Sequence, residues 1–144
     1  MDAAQEASGA SLAVVAALHR EIGPWLKNWT VADREHGGRR FRFFENSGRV
    51  AVCAGIGASA ARQATEAVIA LYHPRRVLSV GFAGALQHGL PVGTIVVPAR
   101  VIDAQDGSRT EVAGGNGALV TVANVASPEQ KARLYAAYGA QAVD

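Results

Sequence analysis

The sequence has a single cysteine, Cys53, set in an apolar run, so no disulfide framework can form within the chain. That position reads as a small buried hydrophobe, with a reactive thiol as the alternative. No apolar stretch approaches the roughly 20 residues of a membrane span, so no spanning segment is expected. Residues 1–10 carry Asp2 and Glu6 without a basic leader and do not read as a secretory signal. We expect them to form a flexible tail, 1–10, ahead of a folded α/β region, 11–144. A cytoplasmic location is the expectation from these absences. Charge of one sign is also scarce: 14 Lys and Arg face 12 acids, for a net charge of +2. That balance gives no footprint for nucleic acid. Aromatics make up only 6% of the chain, without the stacking pattern of single-strand binders. The four histidines, His19, His36, His73 and His88, lack metal-ligand spacing, and no second cysteine supports them. Neither a Walker loop nor a Gly-x-Ser-x-Gly elbow is present.

What remains is apolar and rich in glycine. Hydrophobic residues make up 49% of the chain and glycines number 16. A chain of this length buries about two-thirds of its unfolded surface, enough for a real core. Ser11–Leu18 is a continuous apolar run, as in a strand covered on both faces. Gly23-Pro24 punctuates the chain, and Pro24 suits the first turn of a short helix carrying Trp25, Leu26 and Trp29. Arg39–Glu45 alternates, Asn46-Ser47-Gly48 supplies a turn, and Arg49–Ala54 returns, which predicts a hairpin. The basic residues Arg34, Arg39, Arg40, Arg42 and Arg49 fit a solvated sheet edge better than an RNA surface.

From Ala58 to His73 the period is helical, with Ala61, Ala64, Val68 and Leu71 on one stripe, and Pro74 closes it. Val77–Val80 and Thr94–Val97 read as short buried strands, with Val101–Asp103 extending or bending out of the second. Asp106–Gly117 is turn-rich and polar, a mobile-loop pattern, and Ala118–Val122 is again a strand. Ser127, Pro128 and Gln130 mark a helix start with capping-box spacing; Leu134 and Tyr138 give its apolar side and Gly139 its end. Ala140–Val143 starts a further strand.

Two features carry chemistry. Gly55-Ile56-Gly57 and Gly81-Phe82-Ala83-Gly84 lie at strand ends, where glycine allows positive φ and close ligand approach. A dinucleotide fingerprint would need an acid ending the next strand, and Val80-Gly81-Phe82 has none. Glycines serving only a tight turn are the alternative. Glu21 follows the first buried strand, at the end where open α/β sheets gather ligands. It is a candidate general base, against the plain reading of an exposed acid favoured by a helix dipole.

Taken in order, several segments resemble the nucleoside phosphorylase and nucleosidase family, especially its methylthioadenosine/S-adenosylhomocysteine nucleosidase branch. They are Val14–Glu21, Ala54–Gly57, Val80–Leu86, Leu90–Pro98, Ala126–Lys131 and Gly139–Asp144. The C-terminal third is also similar to the branch that removes adenine from an adenosylated hopane. The resemblance implies a mixed central sheet flanked by helices, usually in a homo-oligomer. It implies cleavage of the N-glycosidic bond of a purine nucleoside by water or phosphate, through an oxocarbenium-like ribosyl group. No cofactor is implied, and phosphate would be a co-substrate only in a phosphorylase.

By the same resemblance Glu21 matches the water-activating glutamate and Gly84 a substrate-contacting glycine. Gly57, Phe82 and Ala83 join the candidate substrate contacts, and Asn124 and Val125 lie near the base-contacting positions. Three departures stand out. Phe82 replaces a serine of the nucleosidases and cannot hydrogen-bond an anion, which favours hydrolysis or a bulky apolar ribose substituent. Asn124 stands where the family often has an aromatic that stacks on the purine. Third, the family follows the acid matched by Asp144 with Met-Glu, whose glutamate holds the ribose hydroxyls, and later with the aspartate that protonates the base. Both fall past residue 144. The resemblance therefore implies an N-terminal portion of the fold, from a longer enzyme or from a chain that has lost the activity. A non-catalytic binding or assembly module with an open sheet edge is the rival reading.

Overall fold

The computed structural model describes residues 9–144. The expected tail, 1–10, lies almost wholly outside the described residues. The chain divides into two compact units, one ending at Gly81 and one spanning Phe82–Asp144.

The first unit is organised around strand β1, Leu12–Ala16. Successive side chains of a strand point to opposite faces, so an unbroken apolar run must be covered on both. Ala13 and Val15 join one core cluster, with Phe43, Val50, Val52 and Val68. Val14 and Ala16 join another, with Ile22, Leu26 and Ala51. After β1 come a short helix α1, His19–Ile22, and a 3₁₀ turn, Gly23–Leu26, with Pro24 in its first turn. Leu26 is buried by that turn, and Trp29, which follows it, packs on the same cluster.

Three antiparallel strands follow: β2 Thr30–His36, β3 Arg39–Asn46 and β4 Arg49–Cys53. The expected hairpin is therefore the inner part of a three-stranded meander. The basic edge is engaged. Arg42 and Arg40 reach Asp33 at 3.1 and 3.6 Å, Arg34 lies over the Tyr72 ring and Arg49 over Trp29. Helix α2, Ala58–Tyr72, buries Ala64, Ala67 and Val68 against the sheet. Ala61, expected on that stripe, is exposed, because the buried stripe is set by Ala64, Ala67, Val68 and Leu71 one turn further on. His73 ends the helix in the left-handed conformation (φ 46°), its N–H donating to the Ile69 carbonyl, and Pro74 prevents continuation. Strand β5, Val77–Ser79, completes a sheet of order β2-β3-β4-β1-β5. β1 is parallel to both β4 and β5, in registers Ala16↔Cys53 and Val15↔Ser79.

The second unit contains β6 Gly84–Ala85, β7 Arg100–Asp103, β8 Arg109–Glu111, β9 Ala118–Thr121, helix α3 Pro128–Tyr138 and β10 Ala142–Val143. Its sheet runs β6-β10-β9-β7-β8, with β9 parallel to β7 and β10. Ile102 and Val120 are its largest fully buried side chains, and Leu134 and Tyr138 of α3 pack on their cluster. The cap of α3 forms as its sequence dictates. Ser127 Oγ accepts from the Gln130 N–H, Gln130 Oε1 accepts from the Ser127 N–H, and Gly139 closes the helix at φ 62°.

Two expectations fail here. Thr94–Val97 is not a strand: Thr94 Oγ1 donates to the Pro91 carbonyl, closing a turn, and Ile95 is exposed. β-branched residues favour a strand only where a neighbouring strand accepts their backbone, and this segment has none among the described residues. Conversely, the polar segment Asp106–Gly117 is not wholly loop. Arg109–Glu111 pairs antiparallel with β7, and Arg100 Nε donates to Glu111 at 2.7 Å.

Candidate active site

In the first unit, β1, β4 and β5 are parallel, so their carboxyl ends lie side by side. Each leads directly into one sequence-marked feature. β1 leads to Glu21, β4 to Cys53 and the Gly55–Gly57 loop, and β5 to Gly81. Pairing persists past the strands: the Ala54 and Gly55 N–H groups donate to the Ala16 and Ala17 carbonyls, and the Val80 N–H to Val15. The three connections therefore leave the sheet at one level.

Glu21 occupies the third position of α1. Its Oε2 accepts the Leu18 backbone N–H at 2.9 Å, the side-chain half of a capping arrangement that Leu18 cannot reciprocate. Next to it, Ile22 is buried and pins the helix to the core. Gly81 lies against the carboxylate: a Cβ built on it would stand 3.1 Å from Glu21 Oε1. Cys53 senses the same charge. Burial, first, and then the Glu21 carboxylate push its thiol above the ordinary range. Its environment is that of an inert, half-buried thiol rather than a nucleophile.

Gly57 is the N-cap of α2, and Gly55 and Gly57 adopt φ of 95° and 103°. An L-residue rarely adopts either value, so glycine is required for the turn itself. Arg39 steadies the approach to this loop by donating to the Ala54 carbonyl at 2.8 Å and to Gln63 at 3.1 Å.

The second unit carries the other candidate residues. Phe82 is 66% exposed, and Ala83 is exposed beside it. Gly84 pairs with Val143 in β6, with the Lys131 ammonium packed over it. Asn124 lines a cleft of about 450 Å³ with Val122, Gln130, Arg133, Leu134 and Tyr138. Val125 next to it is almost wholly exposed. The structure thus brings Glu21 and Gly81 together in the first unit and places Gly84 and Asn124 in the second. Sequence reasoning missed the Leu18 N–H, the influence of the Glu21 charge on Cys53 and the cleft residues Gln130 and Arg133. Only the first carried a signal: a glutamate three residues after a helix start. Among the described residues no group of His, Cys, Asp and Glu could hold a metal ion.

Residues 7–144 match the sequence profile of the Phosphorylase superfamily. The chain belongs to that superfamily. No curated protein matches it in sequence. Among solved structures, this superfamily chain is similar to the 5′-methylthioadenosine/S-adenosylhomocysteine nucleosidase of Helicobacter pylori. The TM-score is 0.79 at 18% identity, over 94% of this chain and 75% of that one. It is also similar to a futalosine hydrolase of the same organism (TM-score 0.74, 19% identity, 92% and 76% of the two chains). A third is a 5′-methylthioadenosine/S-adenosylhomocysteine nucleosidase from Colwellia psychrerythraea, in complex with adenine (TM-score 0.74, 21% identity, 94% and 72%). At these identities the likeness establishes the fold alone, a mixed α/β architecture.

Proposed function

We propose that this protein cleaves the N-glycosidic bond of a purine, adenosyl-type nucleoside by hydrolysis, releasing the free base. The observation that carries this reading is the Glu21 carboxylate, fixed by the Leu18 N–H at the carboxyl end of the central parallel strand. A carboxylate held so can orient a water and take its proton as the C–N bond breaks. The ribosyl group gains positive charge in that step, and a nearby anion stabilises it. Gly57, Phe82, Ala83, Gly84, Asn124 and Val125 are proposed as substrate contacts. Phe82 supports water over phosphate as nucleophile, since a phenyl ring offers an anion no hydrogen bond. The solved relatives with similar folds include nucleosidases whose names give adenosyl substrates, which supports an adenine-type base.

The test is release of adenine from 5′-methylthioadenosine and related adenosyl compounds by the complete protein carrying this chain, with and without inorganic phosphate. Adenine should appear without phosphate. Glu21→Gln, which keeps shape and removes the base, should lower the rate by roughly 10²-fold or more. Strict dependence on phosphate would show phosphorolysis instead, of an adenosylated hopanoid if that alone is cleaved. An unchanged rate in the Gln variant would remove Glu21 from the mechanism. Size-exclusion mass would test the proposed homo-oligomer.

A further inference from the structure

Gly81 differs from the other glycines near Glu21. Gly55 and Gly57 have positive φ and are required by the backbone, whereas Gly81 has no such φ, so a left-handed backbone is not what calls for glycine there. What it lacks is room. A Cβ there would lie 3.1 Å from Glu21 Oε1, tighter than most real Cβ contacts, and at ordinary contact distance, 3.5 and 3.7 Å, from Cδ and Oε2 of the same group. That group is not free to yield cheaply. Oε2 is held by the Leu18 N–H, and the buried Ile22 fixes the backbone of α1. On the other side, Gly81 is tied to the sheet one residue back, through the Val80 N–H to the Val15 carbonyl. The carboxylate is thus seated between two backbone segments that leave adjacent parallel strands.

We infer that Gly81 is a positioning residue for Glu21: its bare Cα sets where the carboxylate stands, and a side chain there would drive it off its Leu18 anchor. The inference rests on Glu21 being the proposed base, and it adds a residue that touches no reacting atom. A methyl group must displace the carboxylate by a few tenths of an ångström, and a branched side chain by more. Misplacing a catalytic group by about 1 Å can cost on the order of 10²-fold in rate.

The experiment compares Gly81→Ala, Gly81→Val, Glu21→Gln and the double variant Glu21→Gln/Gly81→Ala in the adenine-release assay. We expect kcat to fall about 10-fold for Ala and roughly 10²-fold for Val, with KM little changed. In the Gln background the Ala change should add almost nothing, because residues acting through one group are non-additive. Additive losses, or full activity of Gly81→Val, would overturn the inference. A second readout needs no turnover: the amide resonance of Leu18 in ¹⁵N-labelled protein. It should move in Gly81→Ala in the direction it takes in Glu21→Ala, where the acceptor is gone. An unmoved Leu18 amide would also overturn the inference. If wild type cleaves no nucleoside, the proposed function falls, while the Leu18 signal still decides whether Gly81 seats the carboxylate.

Discussion

Phe43 is the side chain on which the first unit's core should depend most. It is 0% exposed, pairs in register with Val52, and meets the Tyr72 ring edge-on at 4.9 Å. Phe41 lies beyond it at 6.1 Å, so the ring is enclosed by aromatic and aliphatic neighbours with little room to collapse. Truncation to Ala in such a site costs about 3–5 kcal/mol. The lost edge contact supplies about 0.5–1.5 kcal/mol of that. Phe43→Leu fills most of the volume and should cost about 1.5 kcal/mol for shape, plus part of the lost ring contact. Trp25 and Trp29 both lie in the first unit, so tryptophan fluorescence during urea unfolding reports this core selectively. With a slope of about 1 kcal/mol per molar for a unit of this size, the Ala variant should lose some 3–5 M in midpoint, or be unfolded without urea. The Leu variant should fold, with a midpoint about 2 M below wild type. A loss below about 1 kcal/mol for Phe43→Ala would refute the packing argument.

Two pH-dependent outcomes follow from the same unit. Tyr72 donates to the Glu45 carboxylate, and burial, then that bond and charge, raise its phenol well above the usual range. The folded state therefore favours the neutral phenol. Its contribution is complete below about pH 10, where unfolded tyrosine titrates, and fades as pH rises further. Tyr72 is the unit's only tyrosine, so Tyr72→Phe should flatten the loss of urea stability above pH 10. An identical decline in both proteins would contradict it. For Cys53, raised by burial and by Glu21, alkylation by iodoacetamide should reach half-rate at a higher pH than for a free thiol. Glu21→Gln should lower that pH, and no change would mean the two groups do not face each other.

Elements covered on one or both faces were legible in the sequence because burial imposes a period. β1, the β3–β4 hairpin and the Ala64–Leu71 stripe are of this kind. Helix α3 was legible from its caps, Ser127 and Gly139, although no residue of it is fully buried. β2 was missed for the opposite reason: as an edge strand it is mostly exposed, so Thr30–His36 shows no alternation to read. β6 is two residues long and carries no pattern of its own, whereas β10 falls within the strand expected at Ala140–Val143. Thr94–Val97 shows the converse error, since strand propensity without a pairing partner yields an exposed turn.

The site divides along the same line. Glu21 could be singled out because its place after a buried strand is a local fact, whereas the reason it is held there is not local. Parallel pairing of β1 with β4 and β5 brings Cys53 and Gly81 to its side, and that pairing depends on a crossover through α2 that no motif records. The same topology separates two uses of glycine that look alike in sequence. At Gly55 and Gly57 a Cβ would be strained by φ wherever the neighbours lay. At Gly81 it would be harmless but for one carboxylate. The first kind tolerates no side chain even with Glu21 shortened, while the second should tolerate alanine once Glu21 is replaced by a smaller residue. Stability of Gly81→Ala in a Glu21→Ala background, beside that of Gly57→Ala in the same background, separates the two. Recovery at Gly81 and none at Gly57 is the expected result, and equal losses at both would show that Gly81 is required by the backbone after all.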